Sequence, residues 1–116
     1  MKDFLLVYRT DENTMNSLPN RSPEEMQTNE KRWMDWIGGI AAQNKLADPG
    51  NRLVPYGKVV RAGNVIADGP YTEIKECIVG YSIVKATSVE EAIELVKRCP
   101  VLAIGGNVEV REINVI

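Results

Sequence analysis

Between two apolar, strand-like runs the chain reads Asp68-Gly69-Pro70-Tyr71-Thr72-Glu73-Ile74-Lys75-Glu76. The first part is turn chemistry. Glycine reaches backbone angles that other residues avoid, proline fixes φ and removes a donor, and an aspartate before them folds its carboxylate onto nearby N–H groups. The second part brings Glu73, Lys75 and Glu76, so four charged side chains surround one rigid corner. Asp68 and Glu73 are the candidate acid–base pair, and Lys75 is a candidate ligand for an anionic substrate group. Each also has a plainer reading. An aspartate before glycine is a common Asx-turn former, and a mixed run of charges is commonly a solvated, self-paired face.

The chain contains no histidine. Ser-His-Asp and Cys-His nucleophiles, histidine metal ligands and histidine proton shuttles are all removed, leaving carboxylates, lysine, tyrosine or a shifted thiol for proton transfer. Cys99, between Arg98 and Pro100 at a helix C-terminus, is a poor nucleophile because the dipole disfavours its thiolate. Cys77 begins a strand and reads as core. Two cysteines do not make a zinc site, the carboxylates show no metal spacing, and Gly105-Gly106 precedes a strand instead of opening a phosphate-binding helix. No metal and no cofactor are expected. Arg111, among alternating valines, points away from the buried side and could hold a carboxylate, or could pair with Glu109 or Glu73.

The elements that must position these groups follow from periodicity and caps. Asp3 to Arg9 is an apolar run suited to a central strand covered on both faces or at a subunit contact. Thr10 to Arg21 is long and polar, the kind of connection that serves as a lid. Ser22-Pro23-Glu24-Glu25 is a capping box with proline at the first helical position. The helix that follows carries an apolar stripe of Met26, Trp33, Ile37, Ile40 and Ala41. Gly38-Gly39 marks a close approach or a kink, and Trp36, off the stripe, reads as core, with a subunit interface or pocket wall as the alternative. Ala47 to Pro55 reads as a loop. Lys58–Arg61 and Val65–Ala67 flank Gly63-Asn64 as a tight hairpin. Cys77 to Ala86 is a long strand with Gly80 as a bulge or close-approach point. Thr87-Ser88-Val89-Glu90-Glu91 caps a second helix that ends before Pro100, and Asn107 to Val115 is a strand with one wet face.

This order, with two helices between strands around a hairpin, is the α+β ferredoxin-like βαββαβ plan, both helices on one sheet face. A bare opposite face calls for a homodimer packed face to face. At 116 residues one domain, 1–116, is expected. A net charge of −2 and a pI of about 5.2 argue against nucleic acid as a partner. The short apolar start at Phe4 to Tyr8 suits neither a signal segment nor a membrane span, and with few cysteines the cytoplasm is the expected compartment.

The string Asp68-Gly69-Pro70-Tyr71, Glu73, Lys75-Glu76, Gly80-Tyr81, Glu91-Ala92, Cys99-Pro100 and Glu109-Val110-Arg111 resembles the YCII-related family, in the branch named for an Asp-Gly-Pro-Phe motif. Tyr71 stands where that branch has phenylalanine, and Glu112 where it commonly has proline. The resemblance implies a dimeric α/β barrel of ferredoxin-like subunits with a cleft between sheet and helices. There the wider family has a proposed histidine–aspartate pair, of which only Asp68 is matched in this chain. The cleft would be lined by Tyr8, Trp33, Asp68, Glu73, Tyr81 and Arg111, with Gly69, Pro70, Tyr71, Glu76 and Gly80 shaping the corner. A cofactor-independent acid–base enzyme acting on a small molecule is one expectation. A non-catalytic binding or accessory protein, tied to a sigma-factor system, is the other.

Overall fold

The computed structural model describes residues 1–11, 13–14, 20–69 and 76–115. Strand β1 (Lys2–Asp11) leads to helix α1 (Pro23–Ala42). Strands β2 (Leu46–Arg52), β3 (Gly57–Arg61), β4 (Val65–Gly69) and β5 (Glu76–Ala86) follow. Helix α2 (Val89–Val96), a short 3₁₀ turn (Pro100–Ile104) and β6 (Asn107–Glu112) complete the chain. Four strands form one antiparallel sheet in the order β2-β5-β1-β6, and β3 pairs with β4 in a separate ribbon. This α+β arrangement is compatible with the ferredoxin-like plan.

Both helices start as their caps dictate. Ser22 Oγ accepts from Glu25 N–H at 3.1 Å, with Pro23 in the first turn, and Ser88 Oγ accepts from Glu91 N–H at 3.2 Å. Each bond satisfies a donor that the first turn would otherwise leave open. At the ribbon tip Gly63 and Asn64 both take positive φ, +80° and +60°, as the expected hairpin requires.

Alternation along β1 decides the layering. Phe4, Leu6, Tyr8 and Thr10 are buried, whereas Leu5, Val7 and Arg9 are only half-buried. Phe4, Leu6 and Tyr8 join Val84 and Ala86 of β5, Ile40 of α1, and Ala92 and Val96 of α2 in one core. The thinnest extent of the molecule, 19 Å, is about one helix layer plus one sheet layer. Both helices therefore lie on one side of the sheet, and the other side is open. The ribbon projects from this slab: the radius of gyration is 15.4 Å, against roughly 13 Å for a compact chain of this length.

Several expectations are corrected. Ala47 to Pro55 is not a loop through its length, because Leu46–Arg52 forms the edge strand β2. Register shifts on either side of Asp48 accommodate Pro49 and Gly50 as a bulge. Proline is tolerated there because an edge strand needs partners on one side only. Gly50 has φ +68°, and a Cβ on it would lie 1.7 Å from Tyr81 O, so the position calls for glycine. Gly38 and Gly39 make no close approach, since a Cβ on either meets nothing within 4 Å, and α1 runs unbroken past them. The helix stripe is buried only in its second half: Ile40 is in the core, Trp33 and Ile37 are half-buried, and Met26 and Ala41 are exposed. β1 runs on to Asp11, and β6 stops at Glu112. Half of the Thr10 to Arg21 connection, residues 12 and 15–19, lies outside the described residues.

Candidate functional site

On the helix-covered face, strand alternation turns Tyr8 inward until 4 % of it is exposed. Its hydroxyl donates to Ser82 Oγ at 2.7 Å, and Ser82 donates onward to the Pro49 carbonyl at 2.8 Å. The β2 bulge presents that carbonyl, so three strands are tied through one buried chain of hydrogen bonds. Burial pushes the Tyr8 phenol far above its ordinary value, and the hydrogen bond with Ser82 only partly opposes this. Tyr8 thus holds its proton and is no base near neutrality. Trp33 and Trp36 meet its ring edge-on, with centroids 4.8 and 6.0 Å away, and pack on each other at 5.7 Å. Trp36 Nε1 donates to Leu95 O at 2.9 Å, which links α1 to α2 and gives this tryptophan the core role. Nearby, burial raises the Cys99 thiol to about 12, so it is inert at neutral pH.

The open face is different. Register places Leu5 between Ile83 and Arg111, and Val7 between Tyr81 and Glu109. Leu5, Val7, Tyr81 and Ile83 form a half-buried apolar centre. At the β6 side Arg9 reaches Glu109 Oε1 at 2.8 Å, and Arg111 reaches Glu109 Oε2 at 3.1 Å. The hydrogen bond from Arg9, then that from Arg111, holds the Glu109 carboxyl below its usual range. Two guanidiniums share one carboxylate, so one positive charge is left over. At the β2 side Asn51 Nδ2 donates weakly to Tyr81 OH at 3.4 Å.

A third location is the base of the ribbon. Asp68 pairs with Lys58 directly across β3 and β4, and its side chain is 89 % exposed. Tyr56, Gly57, Lys58, Asp68 and Gly69 line an open groove of about 270 Å³ there. Gly69 is used for proximity, since a Cβ would lie 3.2 Å from the Gly57 carbonyl carbon.

The YCII-related domain family model matches residues 4–115, nearly the whole described fold. The chain belongs to the YCII-related domain family. No curated protein matches it.

In this YCII-related domain the sequence-derived site residues fall into three groups. Tyr8 and Trp33 touch each other on the helix face. Tyr81 and Arg111 lie on the opposite face, separated from them by the sheet, and Arg111 takes Glu109 as its partner. Asp68 is on the ribbon. One protomer therefore does not gather these five side chains into one cleft. Glu73, Lys75, Pro70 and Tyr71 lie outside the described residues. Gly80 is the close approach, since a Cβ would lie 3.0 Å from Asn51 O and 3.5 Å from Tyr8 Cδ2, and the bulge is next to it: the register passes from Tyr8–Gly80 to Arg9–Ile78 and skips Val79. Glu76 accepts from Asn107 Nδ2 at 2.9 Å, joining β5 to β6.

Sequence reasoning missed Ser82, whose only signal is a hydroxyl at an inward position of an apolar strand. It also missed Thr10, whose buried hydroxyl has no hydrogen-bond partner among the described residues. Also among the described residues, no three Cys, Asp or Glu side chains cluster as a metal site requires.

Proposed function

We propose that this YCII-related chain is a homodimer that binds a small organic molecule at the ribbon groove, in the Asp-Gly-Pro branch of the family, in the cytoplasm. The observation that carries the reading is the setting of Asp68. A carboxylate, the Lys58 ammonium and the Tyr56 ring stand around an open groove of about 270 Å³, and the two charges are neither buried nor committed to the core. Such a set holds a polar ligand by charge-assisted hydrogen bonds and ring contact. The homodimer rests on the open sheet face, with its apolar centre between charged edges. The compartment rests on the sparing use of cysteine, two in 116 residues. No helix among the described residues is long and apolar enough to cross a membrane.

A second reading keeps the acid–base enzyme. Val60 and Ile66, on the same ribbon face as Asp68, are 68 and 65 % exposed. A partner covering them would take Asp68 out of water and suit it, with Glu73, to cofactor-independent proton transfer. Calorimetric titration with a panel of small hydroxy- and keto-carboxylic acids tests both readings. Binding by the wild type that is lost in Asp68→Asn at unchanged melting temperature is the expected result, and equal binding by both proteins would overturn it. Proton NMR of the bound acid then decides between binding and turnover.

A further inference from the structure

We propose that the outer groove between α1 and the segment leaving α2 binds a phosphorylated polyol, with Arg32 and Arg98 clamping the phosphate and Asp35 accepting from a hydroxyl. The groove measures about 560 Å³ and shares no residue with the ribbon groove. That size lies within the ~300–1,000 Å³ of small-molecule sites. One wall is α1, where Arg32 and Asp35 stand one turn apart on the same side. The other wall comes from residues 97–103, at the end of α2 and along the 3₁₀ turn. Hydrogen bonds set the spacing of the walls. Trp36 Nε1, next to Asp35, donates to Leu95 O at 2.9 Å, Cys99 N–H to Val96 O at 2.9 Å, and Leu102 N–H to Cys99 O at 3.1 Å. Walls fixed before binding lose little entropy when a ligand arrives.

Charge and the number of acceptor oxygens select the ligand. The chain as a whole is acidic, with a net charge of −2, yet this groove gathers Arg32, Lys97 and Arg98 against Asp35. Lys97 is already engaged: it sits at the carbonyl end of α2 and pairs with Glu94 at 2.6 Å. Arg32 and Arg98 are exposed and make no ion pair among the described residues, although Asp35 is one turn from Arg32. One guanidinium fork occupies both oxygens of a carboxylate. Two forks from opposite walls are served side by side by a phosphate monoester, which has three acceptor oxygens and a charge of about −1.5 to −2 at pH 7. Asp35 repels a bare anion and favours one whose carbon part carries a hydroxyl donor. Leu102, 40 % exposed, gives that carbon part an apolar contact in the same groove.

Calorimetric titration at low ionic strength in a phosphate-free buffer tests this with glycerol 3-phosphate, inorganic phosphate and malate as probes. Glycerol 3-phosphate is expected to bind most tightly. Arg32→Gln and Arg98→Gln, each checked for folding by circular dichroism, should weaken it about tenfold or more. Arg32→Lys and Arg98→Lys keep the charge, lose the fork and should weaken it about threefold or more, which tests the clamp even if a glutamine variant misfolds. Asp35→Ala should cut the preference for glycerol 3-phosphate over inorganic phosphate about threefold or more. Every titration is repeated in Asp68→Asn, which removes any binding at the ribbon groove and should leave glycerol 3-phosphate affinity unchanged. The proposal is overturned by no binding at millimolar concentration, by arginine variants that bind as the wild type does, or by loss of binding in Asp68→Asn. Tighter binding of malate than of glycerol 3-phosphate in Asp68→Asn refutes the phosphate, and an unchanged preference in Asp35→Ala refutes the hydroxyl contact. A phosphoserine peptide bound at least about tenfold more tightly than glycerol 3-phosphate would replace the small molecule with a phosphorylated protein partner.

Discussion

The two faces of the sheet use the same strands to opposite ends. On the helix face Tyr8, Ser82 and Trp36 close their hydrogen bonds inside the protomer, and among the described residues the buried Thr10 hydroxyl is left without one. On the open face the centre is apolar and the charges sit at the edges, where one guanidinium is left over and one carboxylate, that of Asp48, lacks a counter-ion among the described residues. A face that satisfies itself is built for stability, because a buried unpaired polar group costs several times what a made hydrogen bond contributes. A face with unspent charges at its rim and hydrophobic side chains at its centre is built to meet something else. With the polar groups of Tyr8, Ser82 and Trp36 bonded inside the protomer, the ribbon, the open face and the outer groove beside α1 become the surfaces where function is sought.

The sharpest way to break this comparison is to truncate neighbours in sequence that belong to opposite faces. Leu6 is fully buried and Leu5 only half-buried. Leu6→Ala is expected to cost ~2–5 kcal/mol in urea unfolding, independent of protein concentration. Leu5→Ala should cost less than half as much at low concentration, with a loss that grows as concentration rises and the wild type gains stability by association. Equal, concentration-independent losses would remove the distinction between the faces.

A smaller effect separates two tyrosines. Tyr8→Phe removes the donor to Ser82 while leaving the ring against Trp33, and is expected to cost ~0.5–1.5 kcal/mol. Ser82 keeps its own bond to the Pro49 carbonyl, which bounds the loss. Tyr81→Phe gives up only a 3.4 Å contact with Asn51 on the open face and should be close to neutral. Urea midpoints of the two variants, measured side by side, check the ordering, and a Tyr81→Phe loss matching that of Tyr8→Phe would contradict it.

What was legible in the sequence follows the same division. Local chemistry read correctly: the Ser22 and Ser88 caps and the Gly63-Asn64 turn are each set by residues within a few positions of one another. β2 was not legible, because Asp48-Pro49-Gly50-Asn51 carries loop residues. It becomes a strand only since an edge strand tolerates a missing donor, and Gly50 lets the chain pass Tyr81 O. The site was the least legible. Tyr8, Tyr81, Asp68 and Arg111 are all plausible chemistry by type, but a strand's period of two sends neighbours to opposite faces. Sequence spacing alone did not show that the sheet would stand between Tyr8 and Arg111, nor that Asp68 would sit on a ribbon apart from both.

The smallest effect is a test by pH. Glu109 has its folded-state pKa lowered, first by the hydrogen bond from Arg9 and then by that from Arg111. A depressed carboxylate contributes stability that is present above its unfolded value, ~4.3, and is lost as pH falls through the lower folded value. Glu109→Gln should therefore lower the urea midpoint at pH 7, with a difference that shrinks toward zero as pH drops below about 4 and that narrows in high salt, because the cluster is solvated. Tyr8→Phe supplies the contrast from the other face: its phenol is shifted upward by burial, titrates nowhere in this range, and should give a difference independent of pH between 4 and 8 if no other group is coupled to it. A Glu109→Gln difference that stays constant into acid would mean that the two arginines do not hold this carboxylate in solution.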